Sequence, residues 1–377
     1  LIHGHAHPAM VAAVTAQLQH GTAFSKATEA EILLARHLCG RSPAFDKVRF
    51  MNSGTEAVMA GVKAARAFTG RPGLAKVEGT YHGAYDYAEV SQAPDPEHWG
   101  QIDRPRSVPL AKGTPDSVLR DVLVLPFNDV DAARSLLDEH RDRIGCVLLD
   151  LLPHRVGLVA ASEAFVRAMR DWTTENGALL MFDEVVTFRN EVGGTQARYP
   201  VRPDVTALGK CIGGGFPIGA LAGRDEVMDV FAAHERAPAL PHSGTFSANP
   251  VTMTAGLSAM EEYDAGAVER LNRLGRLARS RIQEAIAASG RPATVTCAGS
   301  LFRIQLKPVA PTDYRSSYLS PAGKRVLGRF VDEMYKAGIV LLNTASGALS
   351  TPMTEAELDR LAEAVVVSLR KLEPIRT

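Results

Sequence analysis

Near the start of the chain apolar positions recur at helical spacing. Residues 8–20 open on Pro8 and are followed by Gly21, the asymmetry of an amphipathic helix, and a second helix is predicted from about 28 to 39. The texture then changes: short apolar runs alternate with longer periodic stretches, as in strands joined by crossover helices. Strands are predicted at 48–51, 74–77, 122–125, 146–149, 179–182 and 205–208, several apolar throughout, as strands covered on both faces of a parallel sheet are. Residues 91–115, rich in Pro, Asp and Gly and without periodicity, read as a long loop at the mouth of a site. From about 256 a long helical run reaches 289, followed by a strand at 301–306, a helix to about 337, a strand at 339–342 and a final helix. The expectation is an α/β protein with a mostly parallel central sheet: an N-terminal segment 1–44, a large domain 45–255, and a smaller α+β domain 256–377.

Composition narrows the class. The 377 residues are 46% hydrophobic and 22% charged, ordinary for a globular chain, and Lys plus Arg equals Asp plus Glu at 42 each. No basic field draws nucleic acid or an anionic membrane, so a small molecule is the expected partner. Cys39, Cys146, Cys211 and Cys297 are widely spaced among apolar or small residues, which suits free thiols and a cytoplasmic address. No apolar run has the length of a membrane-spanning helix, and no charged-then-apolar leader stands at the start. The chain opens without Met at Leu1-Ile2-His3-Gly4-His5-Ala6-His7-Pro8, which reads like the middle of a longer protein. His3, His5 and His7 could share one face of an extended segment. No Cys or carboxylate stands beside them to complete a shell, so no metal site is expected.

Three short motifs carry candidate chemistry. Asn52-Ser53-Gly54-Thr55-Glu56 follows a predicted strand and opens a helix, so its backbone N–H groups, flexible Gly and hydroxyls form either a phosphate cradle or a helix cap. Asp183-Glu184-Val185 emerges from the apolar strand 179–182, where ligands of open parallel sheets gather; the acid is a cap, a metal ligand or a partner for a bound cation. Lys210 stands within an otherwise uncharged Gly-rich stretch, 208–219, where partial desolvation would favour the neutral, nucleophilic amine; a surface lysine in a turn is the plain alternative. That stretch matches neither a dinucleotide fingerprint nor a P-loop. Taken together the three are what pyridoxal 5′-phosphate requires: a cradle for its phosphate, an amine to attach it, and a carboxylate to keep its ring nitrogen protonated. Tyr81-His82-Gly83, after another strand, adds an aromatic face suited to stacking.

Over nearly its whole length the chain resembles the class III, fold type I aminotransferases, in the branch that includes glutamate-1-semialdehyde aminomutase. The resemblance rests on Gly4-His5-Ala6-His7-Pro8, residues 48–57, Tyr81-His82-Gly83, residues 182–185, residues 202–210 with their trailing glycines, residues 244–250 and Gly299-Ser300-Leu301-Phe302. It implies that Ser53, Gly54 and Thr55 hold the phosphate, that Tyr81 and Val185 sandwich the ring with His82 beside it, and that Asp183 pairs with the ring nitrogen. It implies further that Lys210 is the Schiff-base and proton-transfer residue, and that Thr245 reaches the phosphate of the neighbouring subunit in a homodimer. Where the family commonly has Glu-Pro-Val this chain reads Asp150-Leu151-Leu152-Pro153-His154-Arg155, which puts Arg155 in the substrate-side place. Arg155 would bind a substrate carboxylate; the alternative is an ion pair with Asp150 or Glu184.

The expected activity is transfer of an amino group from an amino acid, β-amino or acidic, to a keto acid by ping-pong transamination. The aminomutase's Gly- and Ser-rich mobile loop is replaced near 91–100 by a stretch carrying Pro94 and Pro96, which argues for this reading over an intramolecular aminomutase or a racemase. From a different class, a cofactor-binding protein that has lost catalysis is the remaining alternative. The presence of Lys210, Asp183 and Tyr81 argues against it.

Overall fold

The computed structural model describes residues 1–233 and 237–372. The chain falls into two compact units. The first takes in Leu1, His5–Leu151 and Ala161–Asp264; the second takes in Ile2–Gly4, Leu152–Ala160 and the chain from Ala265. The division thus falls after Asp264 instead of 255, and the segment carrying Arg155 belongs to the second unit.

In the first unit seven strands form one sheet: β1 (Lys47–Met51), β2 (Gly73–Val77), β3 (Val122–Leu125), β4 (Ile144–Leu149), β5 (Leu179–Asp183), β6 (Val205–Gly209) and β7 (Gly219–Gly223). Their order is β1-β7-β6-β5-β4-β2-β3, and only β7 runs against the others. β2, β4, β5, β6 and β7 are buried at every residue, which explains their unbroken apolar texture. β7 escapes sequence reading because Gly-Ala-Leu-Ala-Gly lacks the β-branched and aromatic residues that mark strands. Its small side chains leave room for helix Gly54–Thr69 to approach. A Cβ on Gly61 of that helix would lie 2.6 Å from Met181 Sδ and 3.1 Å from Leu221.

In the second unit β8 (Thr294–Ala298), β9 (Leu301–Gln305) and β10 (Ser346–Ala348) form an antiparallel sheet in the order β10-β9-β8, accompanied by helices Ala265–Ser289, Pro321–Lys336 and Glu355–Arg370. The long helical run expected from 256 is two helices, Pro250–Glu262 and Ala265–Ser289, parted at Tyr263-Asp264. No strand forms at 339–342. Gly338 turns the chain at φ +81°, the Ile339 amide donates back to the Met334 carbonyl, and Val340 and Leu342 point outward at 79% and 62% exposure, so these apolar residues end a helix instead of joining a sheet. Among the described residues no helix is long and apolar enough to cross a membrane, and all four cysteines are free.

Candidate active site

Parallel strands deliver the predicted residues to one edge of the large sheet. β1 ends just before Ser53, β2 just before Tyr81-His82, β5 on Asp183 and β6 on Gly209, next to Lys210. Asp183 sits opposite Ala207 in the β5–β6 pairing, which sets it beside the turn that carries Lys210. Because β7 is reversed, its first residue, Gly219, lies at this same edge, paired with Gly209.

After β1, one turn serves both as cap and as candidate anion cradle. Ser53 Oγ accepts from the Glu56 amide at 3.1 Å, and Glu56 Oε2 accepts from the Asn52 amide at 2.6 Å, so the helix is capped from both sides. The Gly54 and Thr55 amides have no partner among the described residues and remain available to an anion at the positive end of the helix. Glycines let the segments around this turn pack closely. A Cβ on Gly54 would stand 2.7 Å from Val185 Cγ1, one on Gly209 3.2 Å from the same atom, and one on Gly219 1.9 Å from the Ser53 carbonyl oxygen. Val185 is therefore wedged between the turn after β1 and the end of β6. Thr55 Oγ1 accepts from the Ala84 amide at 3.1 Å, and Gly83, at φ +89°, packs directly on Thr55.

Asp183 is buried and oriented from two sides. Its Oδ1 accepts from the Val185 amide at 3.0 Å, and its Oδ2 lies 2.8 Å from Nδ1 of the fully buried His82. His82 Nε2 is 2.9 Å from Thr80 Oγ1. Burial pushes the His82 pKa down, while the hydrogen bond and charge of Asp183 pull it up. Glu184, also fully buried, faces away into the loop that follows. Its Oε2 accepts from the Thr187 hydroxyl at 2.6 Å and the Thr195 amide at 3.0 Å, and its Oε1 from the Gln196 amide at 2.6 Å. Burial pushes its pKa up to about 7 against the pull of those three donors. Both Glu184 oxygens are thus met by donors of the loop that follows β5.

The remaining predicted residues are placed differently. Lys210 is exposed, so the chain does not itself supply the desolvation expected of it; what distinguishes the residue is a left-handed backbone, φ +48°, of the kind that concentrates at functional sites. Tyr81 is 36% exposed. Thr245 lies on the wall of a groove of about 720 Å³ lined also by Phe24, Lys26, Arg49 and His242. Arg155 belongs to the second unit, where its carbonyl oxygen accepts from Arg303 and Ser317. Sequence reasoning did not single out Lys76 or Thr80. The available signal was a charge, Lys76, inside the otherwise apolar strand Gly73–Val77. Among the described residues no cluster of His, Cys, Asp and Glu could hold a metal ion.

The class III aminotransferase family model matches residues 1–363. The glutamate-1-semialdehyde 2,1-aminomutase of Methanobrevibacter smithii is 36% identical over 372 residues, covering 98% of this chain and 85% of that protein. An omega-transaminase structure from Sphaerobacter thermophilus shares 46% identity at a TM-score of 0.95, over 98% of this chain and 84% of that one. A beta-phenylalanine aminotransferase structure from Variovorax paradoxus shares 31% identity at a TM-score of 0.84, over 97% of this chain and 80% of that one.

Proposed function

The chain belongs to the class III aminotransferases, a family of enzymes on the fold type I scaffold, and from that premise we propose that it holds pyridoxal 5′-phosphate and moves an amino group from an amino acid to a keto acid in two half-reactions. The unpaired amides of the turn after β1, at the positive end of a helix, and the buried carboxylate of Asp183 fit such a group. When bound, the cofactor supplies an aldehyde that captures the donor nitrogen and a ring that accepts electrons. Ser53, Gly54 and Thr55 bind its phosphate, and Thr245 does so from a second copy of the chain in a homodimer. Val185 and Tyr81 hold the ring faces, with His82 behind Asp183. Asp183 favours positive charge on the ring nitrogen, and Lys210 carries the covalent attachment and moves the proton at the donor carbon.

Transfer between two molecules is favoured over isomerisation by the segment that follows Ser91. The Ser91 amide donates to the Val108 carbonyl at 2.8 Å, Ser91 Oγ to the Arg106 carbonyl at 2.6 Å, and the Arg106 amide to the Trp99 carbonyl at 2.9 Å; Gly100 bridges Pro105. A segment tied at so many points is a poor candidate for the mobile cover that would retain an intermediate through both halves of an isomerisation. β-Amino acids are the preferred donor class, in line with the beta-phenylalanine aminotransferase likeness. Arg155 is assigned the donor carboxylate, because a guanidinium offers a matching pair of donors. The aminomutase reading draws on the 36% identity to the Methanobrevibacter protein. Incubating the aminated enzyme with a β-amino donor and a labelled keto acceptor separates the two. Nitrogen on the acceptor, with parallel lines in double-reciprocal plots, is expected; isomerised donor without nitrogen transfer would establish the aminomutase. Arg155→Ala should raise KM for amino acids about tenfold more than for simple amines, the worth of roughly one charged hydrogen bond.

A further inference from the structure

β2 carries a charge where a charge is costly. Lys76 pairs with Val124 on one side and Leu148 on the other, and it is completely buried. An ammonium group there is tolerated only when acceptors meet its N–H groups. Nζ donates to the Val90 carbonyl at 2.7 Å and to the Thr80 carbonyl at 3.1 Å, fourteen and four residues away in the chain. Those carbonyls stand at the two ends of the loop that carries Tyr81 and His82, and the neck of the loop is closed again by the Gly79 amide donating to the Ser91 carbonyl at 2.8 Å.

The loop also fixes a proton. A carboxylate oxygen only accepts, so the 2.8 Å contact with Asp183 puts a hydrogen on His82 Nδ1. Thr80 has one hydroxyl proton and two candidates for it, the Val77 carbonyl at 2.7 Å and His82 Nε2 at 2.9 Å. If it goes to Val77, Nε2 must carry a proton as well and the ring is cationic; if it goes to Nε2, the ring is neutral. Burial is the largest influence and opposes the cation, Asp183 supports it, and charge repulsion from Lys76 opposes it as the smallest of these effects.

We propose that Lys76 is a positioning residue for the ring site: it braces the Tyr81–His82 loop through Thr80 and Val90, and its charge adds to burial in holding His82 as a neutral imidazole that donates through Nδ1 to Asp183. Asp183 then retains its full negative charge for a cationic ring nitrogen, a consequence that rests on the role proposed above for Asp183. The brace and the charge are separable. Lys76→Gln keeps a donor and removes the charge; Lys76→Met removes both.

Nitrogen-15 spectra of the histidine-labelled holoenzyme, with the His82 signals assigned through His82→Asn, provide the test. In the wild type, Nδ1 should be protonated and Nε2 bare at pH 7. In Lys76→Gln the His82 midpoint should rise and the cofactor dissociation constant should rise by about tenfold, with the amino-donor KM unchanged. Lys76→Met should add a fall in melting temperature. A doubly protonated His82 in the wild type at pH 7 would overturn the proposal even if neither variant folds. So would variants that lose thermal stability but leave the His82 midpoint in place, since that is the mark of a merely structural lysine. An error about Asp183 would show separately, as undiminished turnover in Asp183→Asn alongside the expected His82 signals.

Discussion

At the end of β5, Asp183 and Glu184 are buried and each of their four carboxylate oxygens is met by a donor, whereas one strand away, after β6, Lys210 is exposed on a strained backbone. Thr245 and Tyr81 share the openness of the lysine side. Asp183, proposed above to hold a fixed charge, is preorganised by the fold before any ligand arrives, because a buried, fully bonded carboxylate has a set direction. The groups proposed to exchange partners, or to meet a second chain, are left where partners can reach them.

The contrast breaks most completely at the exposed end. Lys210→Ala should abolish borohydride fixation of cofactor to the chain and with it turnover, while leaving the melting temperature within a degree or two, since an exposed side chain contributes little to stability. Fixation that survives this change would remove Lys210 from the site. On the buried side Asp183→Asn preserves shape and a hydrogen-bond acceptor for His82, so cofactor should still bind, but kcat should fall by about 10²–10³-fold, the usual scale for removing one preorganised charge. Near-normal kcat in this variant would mean that the buried acid is scaffold only.

A smaller effect, on stability, should come from Glu184. Glu184→Gln turns an amide NH₂ toward one of the donors now facing a carboxylate, a mismatch worth about 1–3 kcal/mol. Its folded pKa of about 7 lies above the ordinary glutamate value of 4.5, so the native state binds the extra proton, and the stabilisation from that proton is full below about pH 4.5 and lost as pH rises through 7. Denaturant titrations should therefore show the gap between wild type and Glu184→Gln narrowing from pH 5 to pH 8; a gap that widens contradicts the sign. The smallest change belongs to Thr245→Ala, which removes one exposed hydroxyl. Cofactor retention should weaken by about tenfold or less, the value of one hydrogen bond, and only at protein concentrations where the dimer persists. Equal weakening in a dilute monomer would place Thr245 in its own subunit's site.

Much of this is legible in the amino-acid sequence alone. The β1 turn with Ser53 as cap, the acid at the end of β5 and the lysine at the end of β6 are local events: a strand's apolar run stops, and the next residue is displayed at the sheet edge whatever the rest of the chain does. Tertiary structure alone decided that Gly219 closes on Ser53, because β7 had to insert antiparallel between β1 and β6. It also decided that Lys76 reaches Val90, that Asp183 leans on His82 from 101 residues away, and that the apolar residues at 339–342 end a helix in the open. Periodicity along a chain reports which side of an element is buried. Which donor meets which acceptor depends on elements brought together from far apart, and no single stretch of sequence contains both halves of that information.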